Sequence, residues 1–323
     1  GSSFSHQKEE ASPGYYKVHL EDTNIDVELT TTTRAAMHLY TYPSSENQVL
    51  ILDLLHRDKV LDASIEIISD TEIQGFRFSE AWATDQRLFF SIKTSHPFKD
   101  MLQSPPKNGM PGARKCALEF VNPNNEPVYI SVGISAVDQA GAKQNREVEI
   151  GSKTFETLKK QAAQSWEQQL EKIIVEDANK DNLSTFYTAL YHTMIAPNIY
   201  QDVDGRYRGM ELEIHQTKDF DYYSVFSLWD TYRAAHPLYT IIEHERTNDF
   251  INTFLAKYDE GGIMPIWDLS ANYTGCMIGY HAVPVIADAY LKVLDPLNSV
   301  FFEVDKTGSL VIIFTAPPSA SLP

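Results

Sequence analysis

Residues 154–175 read TFETLKKQAAQSWEQQLEKIIV, and this stretch divides the chain into two parts of different character. It contains no Gly or Pro and is rich in residues with high helix propensity. Its apolar residues recur every three or four positions, at Leu158, Ala162, Trp166, Leu170 and Ile173. This spacing places the apolar side chains on one stripe of an α-helix. The stretch therefore predicts a helix long enough to connect two domains.

The residues before this helix have the pattern of β-strands. Short segments rich in β-branched and aromatic residues alternate with turns that carry Asp, Asn or Thr. The segments are residues 15–20, 25–31, 36–42, 49–54, 63–69, 75–79, 88–94, 116–120 and 128–135. A Pro- and Gly-rich loop is predicted over 97–112. Because no helical period occurs among these segments, we expect an antiparallel β-sandwich.

Helical segments follow the connecting helix, and they are predicted at residues 185–195, 224–239, 248–258 and 280–291. Consecutive helices joined by short loops form an all-α array or toroid rather than a βαβ sheet. The expected division is a β-sandwich over 1–150, a helical linker over 151–180, the first part of an α/α toroid over 181–292, and a strand-like tail of different character over 293–323.

Composition excludes several classes of function. The 27 basic and 44 acidic residues give a net charge of −17, which repels nucleic-acid phosphates, so we expect no nucleic-acid partner. No run of about 20 uncharged apolar residues predicts a membrane-spanning helix. Cys116 and Cys276 are far apart and lack zinc-site spacing. Glycine-rich nucleotide loops, serine-hydrolase elbows and zinc-protease motifs are also absent from the sequence.

Two Trp-Asp pairs lie in an aromatic-rich region, at Trp229-Asp230 and at Trp267-Asp268. A sugar presents an apolar C–H face and a ring of hydroxyl groups. An indole covers the former, and a carboxylate accepts hydrogen bonds from the latter. The pairs therefore favour a pyranose site. The alternative is that these aromatic residues belong to a helical core.

Other polar residues admit simpler interpretations. Residues 202–205 (DVDG) resemble the start of a calcium loop, but Asp-Gly is also the sequence of a tight turn, which we favour. Glu211 and Glu213 are spaced to share one face of a strand. His281, alone at the head of a predicted helix, is typical of a structural hydrogen-bonding residue.

Four segments together resemble the catalytic domain of glycoside hydrolase family 92. They are residues 222–238 (YYSVFSLWDTYRAAHPL), 263–290 (IMPIWDLSANYTGCMIGYHAVPVIADAY), 186–209 (FYTALYHTMIAPNIYQDVDGRYRG) and 4–16 (FSHQKEEASPGYY). The resemblance extends from Phe4 to Lys292, and residues 293–323 do not resemble the family. Members are calcium-dependent, inverting exo-α-mannosidases. Their fold, a β-sandwich linked by helices to a six-hairpin α/α toroid, agrees with the pattern described above.

The resemblance also implies that this chain is a piece of a longer enzyme. Family members begin upstream of Phe4 and continue far beyond Lys292. The general-acid glutamate, the aspartates that act as base and most of the Ca²⁺ ligands are expected in that later part. No catalytic or metal-binding residue is therefore assigned in this chain.

Substrate-binding residues are carried over from the same resemblance. Trp229 and Asp230 would line the subsite of the terminal mannose, and Arg233, about one turn later, would hold the Asp230 carboxylate in place. Weaker substrate-binding candidates, expected around the subsite, are Asp268, Asn272 and His281.

The resemblance implies an exo-acting inverting α-mannosidase that releases terminal mannose from N-glycans or mannan. It implies Ca²⁺ as cofactor, a mannose-containing oligosaccharide as partner, and a periplasmic or secreted location. The alternative is a non-catalytic carbohydrate-binding or structural fragment. Half a toroid leaves one side of its helices without a partner, so we expect a broad exposed apolar surface. The sequence specifies no oligomeric state.

Overall fold

The structure, a computed structural model, describes residues 1–44, 48–103 and 115–292, together with two strands near the end of the chain. Within these ranges, eleven strands precede the first helix. They are β1 (Phe4–Ser12), β2 (Tyr15–Leu20), β3 (Ile25–Thr31), β4 (Ala35–Thr41), β5 (Val49–Asp53), β6 (Lys59–Ile67), β7 (Glu72–Glu80), β8 (Gln86–Thr94), β9 (Phe98–Gln103), β10 (Lys115–Phe120) and β11 (Val128–Ser135).

These strands form two antiparallel sheets. The larger has eight strands in the order β1-β2-β3-β4-β11-β8-β7-β6, and the smaller has the order β5-β10-β9. Apolar side chains from both sheets form one buried core, which includes Ile73, Leu118, Val128 and Ile130. The predicted antiparallel β-sandwich is therefore confirmed, and all nine predicted strands are present.

Two strands, β1 and β9, were not predicted. β1 (FSHQKEEAS) is mostly exposed and charged, so it lacks the alternation of a half-buried strand. β9 lies within the predicted loop over 97–112, whose residues from 104 onward fall outside the described part of the chain.

Two helices cover the other face of the large sheet: α1 (Gln139–Glu149) and α2 (Phe155–Leu170). α1 lies so close to β11 that a Cβ at Gly133 would be 2.2 Å from the carbonyl oxygen of Ala142. α2 begins after Thr154, whose side chain accepts a hydrogen bond from the Thr157 amide at 3.2 Å. The predicted connecting helix is thus confirmed, although it ends at Leu170 rather than at 175.

The rest of the described chain is helical with short strands between the helices. The helices are α3 (Lys180–Thr193), α4 (Leu228–Thr231), α5 (Ala235–Ile242), α6 (His244–Gly261) and α7 (Ala282–Lys292). The strands are β12 (Asn198–Ile199), β13 (Arg206–Arg208), β14 (Ile214–Gln216), β15 (Tyr223–Ser224), β16 (Phe226–Ser227), β17 (Trp267–Leu269), β18 (Asn272–Tyr273), β19 (Val300–Val304) and β20 (Leu310–Phe314).

α5 packs against both α6 and α7, around a buried core that includes Phe226, Phe250, Phe254 and Ile286. This arrangement agrees with the predicted first part of an α/α toroid. Large apolar side chains are exposed on this part of the chain, among them Ile278 at 78%. None of the described helices has the length and apolarity needed to cross a membrane.

Two local predictions differ from the structure, and the strand-like character expected for the tail is present in its described residues. The single helix expected over 224–239 is divided into β15, β16, α4 and α5. Glu211 and Glu213 lie in the connection between β13 and β14 and not in a strand. In the tail, β19 and β20 pair as an antiparallel hairpin, and the remaining residues after Lys292 lie outside the described part of the chain.

A buried carboxylate joins the sandwich to the helical part. Asp202 accepts hydrogen bonds from Ser135 Oγ at 2.7 Å and from Asn145 Nδ2 at 2.8 Å. Asn145 Oδ1 in turn accepts from the Val203 amide at 2.9 Å. Burial is the largest influence on the Asp202 carboxyl and raises its pKa. The neighbouring Asp204 sits in the predicted tight turn, which is confirmed, and its Oδ2 accepts from Arg206 Nε at 2.7 Å.

Replacing each of these two aspartates by alanine should lower the stability of the fold by a different amount. Asp202→Ala leaves Ser135 and Asn145 without their buried acceptor, so the free energy of unfolding should fall by about 3 kcal/mol. Asp204→Ala is the matched control, because its carboxylate is partly exposed, and it should cost less than about 1 kcal/mol. Urea unfolding of both variants measures the difference, and equal losses would contradict the assignment of Asp202 as the interdomain link.

The Asp249 carboxyl on α6 should make the free energy of unfolding depend on pH. Burial, followed by the negative charge of Asp221, raises the pKa of the Asp249 carboxyl from 3.8 to about 6. The folded state therefore keeps this proton up to a higher pH than the unfolded state, and stability falls as the pH rises from about 4 to about 6. Asp249→Asn should stabilise the chain by about 1 kcal/mol at pH 7.5, after allowance for solvent screening.

Thermal unfolding of the Asn variant and the unchanged chain at pH 7.5 and pH 4 checks this expectation. The gain should disappear at pH 4, where the Asp249 carboxyl is protonated in the folded state. A gain that is the same at both pH values would show that it does not arise from ionisation.

Candidate functional site

A short antiparallel ladder brings the two Trp-Asp pairs together. β16 pairs with β17 so that Phe226 lies opposite Asp268 and Ser227 lies opposite Trp267. The Leu228 amide continues the ladder by donating to the Ile266 carbonyl oxygen at 2.8 Å. Since α4 starts immediately after β16, residues 229 and 230 leave the ladder beside Trp267.

Trp229 and Asp230 are accessible. Trp229 is half-buried and its ring packs edge-to-face with His281 at 5.1 Å between centroids. Asp230 is exposed, and its Oδ2 accepts a hydrogen bond from Ser227 Oγ. Both side chains can therefore be reached by a ligand, and an accessible indole and an accessible carboxylate are the groups that suit a pyranose.

His281 extends this aromatic surface from the start of α7. Its ring stacks on Tyr232 at 4.4 Å between centroids and 6° between planes. Its Nε2 is buried and has no hydrogen-bond partner among the described residues. A buried ring nitrogen without a partner is costly, so this atom marks a place where a further hydrogen-bonding group is needed.

Arg233 does not hold Asp230, and that prediction is wrong. Arg233 Nε donates to the Tyr232 hydroxyl at 2.7 Å, and its guanidinium lies 5.0 Å from the Tyr232 ring centroid. The physical reason is that α4 ends at Thr231, so the helical spacing needed for a contact with Asp230 does not continue to Arg233. Ser227 binds Asp230 instead.

Asp268 supports the site from below its surface and cannot touch a sugar directly. It is 0% exposed and forms an ion pair with Lys257, with Nζ to Oδ2 at 2.9 Å. Ser224 Oγ also donates to Oδ2 at 3.0 Å. The two Trp-Asp pairs therefore have different roles, since Asp230 is exposed and Asp268 is fully paired in the interior.

Asn272 connects this ladder to the sandwich. Its Oδ1 accepts from Thr84 Oγ1 at 3.1 Å and from the Asp85 amide at 3.0 Å, while its Nδ2 donates to the Asp85 carbonyl oxygen at 3.0 Å. Because Asn272 is buried, its side chain is committed to this interface. Asn272 therefore holds the ladder against the sandwich, and its side chain is not free to bind a sugar.

The loop of Thr84 and Asp85, which binds Asn272, also carries Trp82, a residue that was not predicted from the sequence. Trp82 is 59% exposed and packs edge-to-face with Trp267 at 5.1 Å between centroids. The available signal was an indole in the polar connection between two predicted strands, where no core position is expected. The candidate site thus has indoles from both parts of the chain.

An ion pair stiffens the same loop. Arg87 Nη2 donates to Asp85 Oδ2 at 2.7 Å, and its Nε donates to Asp85 Oδ1 at 3.1 Å. The hydrogen bonds from Arg87 lower the pKa of the Asp85 carboxyl. The ion pair therefore braces the residue whose backbone amide and carbonyl bind Asn272.

The described residues do not fit a calcium ion. They contain no group of three or more His, Cys, Asp or Glu side chains placed to hold a metal. Asp202 and Asp204, the acidic residues of the possible calcium loop, are bound to Ser135, Asn145 and Arg206 instead.

Two family models match this chain. The glycosyl hydrolase family 92 N-terminal domain matches residues 1–135, and the family 92 catalytic domain matches residues 141–309. The second match continues past Lys292, so the family likeness extends further than the resemblance in the sequence indicated. Comparison with curated proteins gives no match.

Solved structures give a consistent result. A family GH92 α-mannosidase from Bacteroides thetaiotaomicron is 34% identical over 90% of this chain, with a TM-score of 0.82. Its complex with mannoimidazole has the same identity and TM-score over 90% of this chain and 40% of its own. A family GH92 inverting mannosidase from Bacteroides thetaiotaomicron VPI-5482 is 26% identical over 91% of this chain and 41% of its own, with a TM-score of 0.80.

The chain spans 42% of the length of the first of these structures. Over that span it has both domains of the family in the same order, each matched by its own family model. The sandwich, the connecting helix and the aromatic ladder described above all lie within the matched residues. This chain therefore belongs to glycoside hydrolase family 92.

Proposed function

We propose that the protein carrying this chain is an exo-acting, inverting α-mannosidase that removes terminal mannose from N-glycans or mannan. The observation that carries the proposal is the exposed Asp230 carboxylate beside the half-buried Trp229 indole, on a ladder that also presents Trp267. Support comes from the similar structures, which include an inverting mannosidase and an α-mannosidase in complex with mannoimidazole.

In this proposal the indoles and the carboxylate divide the recognition of the sugar. Trp229 and Trp267 cover its apolar C–H face, and Asp230 accepts hydrogen bonds from its hydroxyls. The His281 ring packs edge-to-face with Trp229 and supports the indole from the start of α7. A terminal residue is preferred if the remainder of the protein closes this surface into a blind pocket.

The chemistry itself is proposed to come from groups outside the described residues. Inversion requires one carboxylic acid to protonate the leaving oxygen and a carboxylate, about 6.5–9.5 Å away, to activate water on the opposite face. Calcium dependence is proposed from the family resemblance alone. The periplasmic or secreted location is likewise a proposal from the family.

Substitutions at Trp229 and Asp230 should weaken mannose binding. Trp229→Ala removes the ring face and Asp230→Asn removes the charged acceptor, and each should reduce the affinity of the full-length protein by about 10-fold or more. Trp166→Ala is a matched control, because Trp166 is a half-buried indole on α2 that packs against Tyr191. Calorimetry with mannose measures all three, and an equal loss in the control would remove the special role of Trp229.

A test of turnover distinguishes the proposed α-mannosidase from a non-catalytic carbohydrate-binding protein. The full-length protein should hydrolyse an aryl α-mannoside, lose activity on chelation, recover it with Ca²⁺, and release β-mannose first when the product is followed by NMR. Release that does not depend on metal, or that retains configuration, would contradict the proposed mechanism. Mannose binding without turnover would select the alternative, a non-catalytic carbohydrate-binding protein.

A further inference from the structure

The chain makes an unusual turn just before the candidate site. Val225, between β15 and β16, has a φ of 67°. β-branched residues rarely adopt this left-handed conformation, because their side chain collides with the neighbouring backbone. The conformation persists only where surrounding contacts impose it.

The Asp268 carboxylate binds the residues on both sides of Val225. Its Oδ2 accepts from Ser224 Oγ at 3.0 Å, and its Oδ1 accepts from the Phe226 amide at 3.4 Å. Ser224 Oγ is itself fixed, since it accepts from the Ser270 amide at 2.9 Å. One buried carboxylate therefore holds the two ends of the turn in place.

Lys257 of α6 keeps this carboxylate in its position. Its Nζ lies 2.9 Å from Asp268 Oδ2, and both side chains are 0% exposed. The same Nζ lies 4.6 Å from the ring centroid of Tyr222, whose hydroxyl donates to Glu260 Oε2 at 2.9 Å. Lys257 is thus held by a charge and by an aromatic ring, away from solvent.

The turn at Val225 determines where the sugar-binding side chains lie. After the turn, Ser227 pairs opposite Trp267, and the Leu228 amide binds the Ile266 carbonyl oxygen at 2.8 Å. α4 begins at this point and carries Trp229 and Asp230 to the surface. A relaxed conformation at Val225 would redirect these residues away from Trp267.

We propose that the buried Lys257–Asp268 ion pair is a positioning device for the sugar subsite. It holds Val225 in its left-handed conformation and so sets the start of α4, with Trp229 and Asp230, beside the β16–β17 ladder that carries Trp267. Lys257 and Asp268 are positioning residues and do not touch the sugar. This inference rests on the proposed function only in naming mannose as the ligand.

A rescue experiment tests the device in the full-length protein. Asp268→Asn should lower mannose affinity at least 10-fold under conditions where the protein stays folded. Adding Val225→Gly should restore most of that affinity, because glycine adopts positive φ without the side-chain collision. Val225→Gly alone should bind nearly as well as the unchanged protein.

Arg146→Met is the matched control. Arg146, a buried side chain on α1, forms an ion pair with the partly buried Glu72 of β7, with Nη2 2.7 Å from a Glu72 oxygen. It should lower thermal stability and leave mannose affinity unchanged. A similar loss of affinity in this control, or no recovery in the Asp268→Asn, Val225→Gly double variant, would overturn the proposal.

Near-UV circular dichroism provides a readout that needs no ligand. The Trp82–Trp267 pair, at 5.1 Å, should give a signal that Asp268→Asn reduces, Val225→Gly restores and Arg146→Met leaves intact. If the unchanged protein binds no mannose, the proposed function fails and this signal still decides the positioning claim. A signal that does not recover with Val225→Gly overturns the positioning device whatever the sugar result.

Discussion

The buried ion pair between Lys257 and Asp268 is the interaction on which the arrangement of the candidate site depends. Moving two charges out of water costs several kcal/mol for each ion, and only close geometry with additional hydrogen bonds offsets that cost. Here the carboxylate also binds Ser224 and Phe226, and the ammonium group faces the Tyr222 ring. A hydrophobic pair of similar volume would fill the same space without fixing the backbone on either side of Val225.

The second constraint is that the site extends over two parts of the chain. Asn272 binds the loop of Thr84 and Asp85 through three hydrogen bonds, and this contact places Trp82 beside Trp267. Asp202 makes a comparable link at the foot of β11 and α1. The β-sandwich therefore contributes an indole to the same surface as Trp267, in addition to supporting the helices.

Regular elements with strong periodicity were predictable from the sequence. The nine strands alternate or are rich in β-branched residues, and α2 has a continuous apolar stripe from Leu158 onward. α1 was missed because its sequence, QAGAKQNREVE, is mostly polar, and it packs through small residues such as Ala142 against Gly133. The break at Val225 was missed because residues 224–239 contain no Gly that would mark a turn, and the contacts of Asp268 on both sides of Val225 come from a distant part of the sequence.

The two Trp-Asp pairs show most clearly why the site could be predicted only in part. The dipeptides are identical, yet Asp230 is exposed and Asp268 is 0% exposed. One difference between them is Lys257, whose Nζ lies 2.9 Å from Asp268 Oδ2, whereas Asp230 accepts a hydrogen bond from Ser227. Burial of a carboxylate requires such compensating partners, and Asp230, whose side chain is bound by Ser227, remains exposed to water, where a ligand hydroxyl can replace that water. The same local sequence therefore ends in two different environments, and the difference arises only when α6 brings Lys257 to Asp268.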